Sequence, residues 1–151
     1  MHDTVVYLLS NVPGLPPIVQ TFHLLGIAVI MSSVVLLDLR ILGLALPSQE
    51  VQELTRRVMP WVWWTLPVML LSGSMFVFAR PRRYFTNPIF GLKFALLVPA
   101  IALAAVLHFV SVRKPAALGM KVIAAVSLLL WVGVVLAGRW IAYVDYLFPE
   151  E

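Results

Sequence analysis

Four long apolar runs dominate this chain: residues 18–39, 59–79, 90–112 and 116–137. A helix rises about 1.5 Å per residue, so roughly 20 residues cross a hydrocarbon core of about 30 Å. Each run meets that length. Inside a bilayer a backbone N–H or C=O has no water to bond with, and a helix satisfies these groups within one segment. With 151 residues in all, too few lie outside the runs to form a separate soluble domain. The pattern predicts an all-α integral membrane protein, one domain over residues 1–151. Its core is a four-transmembrane-helix bundle, preceded by a short N-terminal interfacial segment.

Composition agrees. The chain is 62% hydrophobic and 12% charged, against about half and a quarter in soluble domains. It has no cysteine, which excludes disulfides, iron–sulfur clusters and thiolate haem ligation. The net charge of +4 comes from loop cations beside a membrane. No basic, aromatic-rich surface is large enough for nucleic acid, and the expected partner is the lipid bilayer. No Lys or Arg precedes Arg40, so the basic region of a cleavable signal peptide is missing and the first run is expected to remain as a helix.

Local signals place the ends of the helices. Residues 11–17, Asn-Val-Pro-Gly-Leu-Pro-Pro, break a surface-lying first segment, and the first span starts after Pro17. Pro47-Ser48-Gln49-Glu50 reads as a helix start, with Glu53, Arg56 and Arg57 on a wet turn leading into the second span. Trp61, Trp63 and Trp64 read as interfacial tryptophans, and Trp140, Tyr143 and Tyr146 as an aromatic belt at the other end of the chain.

Four crossings put both termini on one side, here side A, with the loop between spans two and three. Arg80, Arg82, Arg83 and Arg139 fall on side A; Arg40, Arg56, Arg57, Arg113, Lys114 and Lys121 fall on side B. The positive-inside rule favours side B as cytoplasmic and places the termini outside.

Ionisable residues within membrane-length runs are costly and point to an interior, a cavity or a cofactor. His23 and Lys93 lie a few residues into spans one and three from side A, so they share a membrane level. Met75 and Arg139 fall near that level. His108, Asp38 and Arg40 belong to side B. By rise per residue His23 and His108 are roughly 20 Å apart, too far to clamp one haem between them.

Each residue also has a structural reading. His23 suits an axial haem ligand, a proton carrier or a metal ligand, or else a neutral histidine bonded to a neighbouring helix. Lys93 suits a haem propionate, iron ligation or an anionic substrate, or else an ammonium that snorkels to the interface. His108 offers a second metal ligand or the same interfacial role at side B. Met75 offers a soft ligand or a packing side chain. Ser72-Gly73-Ser74 permits close helix packing or makes room for a flat cofactor.

Three stretches carry a family resemblance: His23-Leu-Leu-Gly with Leu37-Asp38-Leu39-Arg40; Thr65-Leu66-Pro67 through Ser72-Gly73; and Gly91-Leu92-Lys93 with His108. Over about residues 20–112 the chain resembles the bacterial haem-b-containing membrane protoporphyrinogen oxidase family, and is similar to the copper-resistance D-type membrane proteins. The resemblance implies a four-helix core, a b-type haem, His23 as axial ligand and an essential Lys93. Three departures point to a sister family. There is no proline in Leu37-Asp38-Leu39-Arg40, the Lys93–His108 spacing is a turn longer, and the tryptophan and tyrosine of the first span are missing.

The expectation is therefore an inner-membrane protein of bacterial type holding haem b at side A. His23 binds iron, Lys93 or Met75 lies near it, and Arg139 or Arg80 pairs with propionates. Lys93 and Arg40 are the candidate catalytic residues, and His23 and His108 the candidate metal ligands. The role would be electron transfer or a redox reaction on a porphyrin or quinone, with a redox partner protein or a second copy of the chain. Two alternatives stand beside it: a copper-handling protein using His23, Met75 and Met31, and a non-catalytic subunit of a larger complex.

Overall fold

The computed structural model describes residues 4, 7, 11, 12, 14–79, 81–111, 118–141 and 143. Most of the N-terminal interfacial segment, and Arg80, Arg113, Lys114 and Tyr146, fall outside the described residues. Five helices follow in order: α1 Leu15–Leu42, α2 Val51–Ala79, α3 Pro81–Phe85, α4 Pro88–Ser111 and α5 Leu118–Ile141. All but α3 are long and apolar enough to cross a membrane. This is an all-α, multi-pass membrane fold, a four-helix bundle.

The ends follow local chemistry. Prolines open α1, where their missing N–H would have no helical partner. Gly43 closes it in the left-handed region, φ 82°, and its N–H bonds to Arg40 O while Leu44 N bonds to Leu39 O. An L side chain at Gly43 would strain the turn by about 1 kcal/mol. The second helix begins at Val51, well before its apolar run, and takes in the wet turn of Glu53, Arg56 and Arg57. Arg57 pairs with Glu53 across one turn at 2.7 Å. Pro60 and Pro67 lie inside α2 on its exposed side, and the helix continues through both. Asn87 opens α4: its Oδ1 accepts the N–H of Ile89 at 2.9 Å, with Pro88 at the first position.

Two antiparallel hairpins, α1–α2 and α4–α5, pack along their lengths, and α1 against α5 joins them. The remaining seam, α2 against α4, is sparsely packed. Ile30, Val34, Leu37 and Ile41, spaced at three and four residues, make the α1 stripe of the core. They meet Met59 and Val62 of α2, Ala104 and Leu107 of α4, and Ala124, Trp131 and Val134 of α5. Ala100 and Ala104, both buried, are one turn apart and let α4 approach its neighbours closely. Leu24, Leu71, Phe109 and Leu129 point outward, as a lipid-facing surface requires. Lipid is as apolar as leucine, so this association rests on close packing and interhelical polar contacts.

Candidate functional site

Gly26 brings α1 and α2 together. A Cβ there would collide with Met69 Sδ and come 3.1 Å from Met69 Cγ and 3.3 Å from Thr65 Cγ2. Met69 therefore fills a hollow that only glycine leaves open. One turn towards side A, the same antiparallel contact sets His23 against Ser72, with Nδ1 to Oγ at 2.8 Å.

That bond fixes the imidazole. The Ser72 hydroxyl has one proton, directed at the carbonyl of Val68 at 2.8 Å, the usual backbone bond of a serine within a helix. Its oxygen then accepts the Nδ1–H of His23, and the lone pair of the ring is left on Nε2. This tautomer is assigned from the pattern of donors and acceptors. Phe76, one turn beyond Ser72, sets its ring edge-to-face with the imidazole at 6.0 Å and 84°. Beside them Gly73 has no side chain; a Cβ there would lie 3.5 Å from His23 Cε1.

Lys93 reaches the same level from α4. It is half-buried and within electrostatic range of His23. It runs along a bare stretch of α5, where a Cβ on Gly138 would be 3.6 Å from both Cε and Nζ. Among the described residues no carboxylate pairs with its ammonium. The structure thus sets His23 and Lys93 at the same end of the bundle, on opposite hairpins.

The other candidates separate. Met75 is half-buried on the same turn of α2 as Ser72 and Phe76. Arg139 is exposed; it donates to Tyr143 Oη at 3.1 Å and lies over that ring. Arg80 falls outside the described residues. Arg40 is at side B, where its guanidinium donates to the carbonyls of Gln49 and Pro47 and ties down the loop after α1. It lies about 25 Å along α1 from His23, so Lys93 and Arg40 occupy opposite ends of the bundle. His108 packs edge-on against Trp63 at 6.2 Å, also towards side B. Trp63 accordingly faces inward, while Trp61 and Trp64 are exposed as interfacial tryptophans. Met31 is eight residues from His23, about 12 Å along α1, and packs against the apolar core. The copper set of His23, Met75 and Met31 is not assembled at one level, and no cluster of three His, Cys, Asp or Glu occurs among the described residues.

Sequence reasoning noticed Ser72-Gly73 as small residues and did not pair Ser72 with His23. The signal was available: α1 and α2 are antiparallel, and His23 and Ser72 sit at matching distances from their connecting loop. Met69 and Gly138 had no such signal, because an apolar Met and a lone Gly look alike on any face of a membrane helix.

Fold and site together define a polytopic four-helix membrane protein with an anchored histidine inside one end of its bundle, beside a lysine that has no carboxylate partner among the described residues. The chain belongs to a family of unknown function, DUF6644, whose model matches residues 14–144. No curated protein and no solved structure matches it.

Proposed function

We propose that this protein binds haem b at the His23–Lys93 end of the bundle and serves in electron transfer or a redox reaction on a porphyrin or quinone. The bond from His23 Nδ1 to Ser72 carries the reading. Histidines that ligate metals nearly always donate their second ring N–H to a fixed acceptor, which sets the tautomer and the ring plane. His23 has that arrangement, with Nε2 left for iron. The chain lacks cysteine, so non-covalent haem with histidine ligation suits its chemistry.

Each residue has a task. His23 binds, and Ser72 orients it. Lys93, a cation without a carboxylate partner among the described residues, pairs with a propionate in the water-poor interior. Phe76 covers one edge of the imidazole and limits its rotation. Gly73 and Gly138 keep side chains out of the space beside His23 and Lys93. Bound haem supplies one-electron chemistry, tuned by its axial ligand and its surroundings. The setting is the bacterial inner membrane, with a quinone or a redox protein as the exchange partner.

An absorption spectrum of detergent-purified protein, oxidised and then reduced with dithionite, tests this. A Soret band is expected, lost in His23→Ala. A colourless protein, expressed with haem supplied, overturns it.

A further inference from the structure

Asp38 is 0% exposed and neither carboxylate oxygen has a hydrogen-bond partner among the described residues. It is enclosed by protein, so lipid around the bundle does not alter this. Ser127 of α5 faces it, is also 0% exposed, and its Oγ is likewise without a partner. One turn along α5, the indole N–H of buried Trp131 is also unpartnered among the described residues. Buried polar groups are nearly always satisfied, and a cluster of unsatisfied ones points to something bound there.

The occupant follows from the charges. Among the described residues the groups on the surrounding elements are Arg40 on α1, the exposed Glu50 in the loop after it, Glu53, Arg56 and Arg57 on α2, His108 on α4 and Lys121 on α5. Arg40 is engaged with the loop carbonyls. Glu53, Arg56, Arg57 and Lys121 are exposed. His108 packs edge-on against Trp63, and its buried Nδ1 has no partner among the described residues. None forms an ion pair with Asp38 among the described residues. A lone ionised carboxylate in such a place is prohibitively costly. Two carboxylate oxygens and one hydroxyl fall short of the six or more oxygens that a hard cation takes. A proton requires one acceptor.

At side B a cavity of about 450 Å³ is lined by Arg40, Ile41, Gly43, Glu50, Val51, Gln52 and Lys121. Ile41 is three residues beyond Asp38, roughly 4.5 Å along the helix on a neighbouring face. It is 1% exposed and lines that cavity.

We propose that Asp38 and Ser127 form a proton-binding site inside the membrane, reached from the side B cavity and closed from it by Ile41. The carboxyl O–H donates to Ser127 Oγ. On release the O–H bond breaks, its electron pair stays on Asp38, and the proton passes to water in the cavity; binding is the reverse. The proposal does not rest on the haem reading.

Infrared spectroscopy of the full protein in lipid tests it. A carbonyl band of a protonated carboxylic acid is expected at neutral pH, shifted down by aspartate labelled with ¹³C at the side-chain carboxyl, and absent from Asp38→Asn. The labelled wild type needs no substitution, so the result stands even where the variant folds poorly. The band should exchange slowly in D₂O, and Ile41→Ser should accelerate that exchange. A neutral-pH spectrum whose only aspartate bands are those of carboxylates overturns the site. Exchange unchanged in Ile41→Ser overturns the route.

Discussion

Ser72→Ala removes one oxygen atom and isolates the orientation of His23. Val68 O keeps its helical N–H partner, so the loss falls on His23 Nδ1–H, which is left without the acceptor it holds at 2.8 Å. A neutral hydrogen bond contributes about 0.5–1.5 kcal/mol net, and a buried donor left unmatched costs about 1–3 kcal/mol. His23 is half-buried at a water-poor level of the bundle, so the unmatched donor should cost the apoprotein about 1–3 kcal/mol. Haem affinity should fall further, by about 10–100-fold, the usual effect of losing the outer partner of a metal-bound histidine. Ser72→Thr keeps the oxygen and should retain most of the affinity. Haem titration followed at the Soret band, beside thermal unfolding of the apoprotein, separates the two effects. Wild-type affinity in Ser72→Ala, with binding abolished in His23→Ala, would refute the orienting role.

Three further perturbations test the surroundings of the site. Lys93→Met removes the cation and keeps much of the volume; losing a charge-assisted bond of about 1.5–3 kcal/mol should weaken haem binding by roughly 10–100-fold. Haem dimethyl ester should bind the wild type and Lys93→Met alike, and a difference that survives esterification assigns Lys93 another role. Gly26→Val drives a side chain into Met69 and Thr65 and should lower stability by about 1–3 kcal/mol in thermal melts, with partial recovery on adding Met69→Ala; no recovery would mean that Met69 is not the obstacle. Ser127→Ile overfills the fully buried contact between α1 and α5, roughly 16 Å along α5 from Gly138, and should reduce haem affinity from that distance; unchanged affinity would show that the hairpins need not dock closely.

Much of the architecture was legible in the sequence because membrane crossing is a matter of length and apolarity, both countable. Depth counting placed His23 and Lys93 at one level for the same reason: rise per residue is fixed. Facing was harder. In soluble proteins the polar face of a helix marks its outside, but here Leu24 points outward and Leu37 inward with no difference in chemistry. Trp63 illustrates the result, since it looks like its exposed neighbours and packs against His108. The start of α2 was legible from Pro47-Ser48-Gln49-Glu50 although its apolar run begins later, whereas the apolar run of α4 begins two residues inside the helix, which Asn87 caps and Pro88 opens. In the sequence Asp38 reads only as a side B residue near the end of a span. Its complete burial depends on α5 covering that face, which spacing within α1 cannot report.

The pairing of the helices has a consequence for the site. His23 and Ser72 belong to the first hairpin, Lys93 and Gly138 to the second, and each pair is set by contacts within its own hairpin. Neither hairpin holds both the imidazole and the ammonium. Their juxtaposition is made by the contact of α1 with α5, because the α2–α4 seam is too sparse to impose it. That contact also includes the side B pair Asp38 and Ser127, buried polar groups whose cost is reduced when the bundle closes with a proton between them. The two ends are thus mechanically linked without any shared residue. Whatever loosens Asp38 from Ser127 lets the hairpins part, and the distance between His23 and Lys93 changes with them.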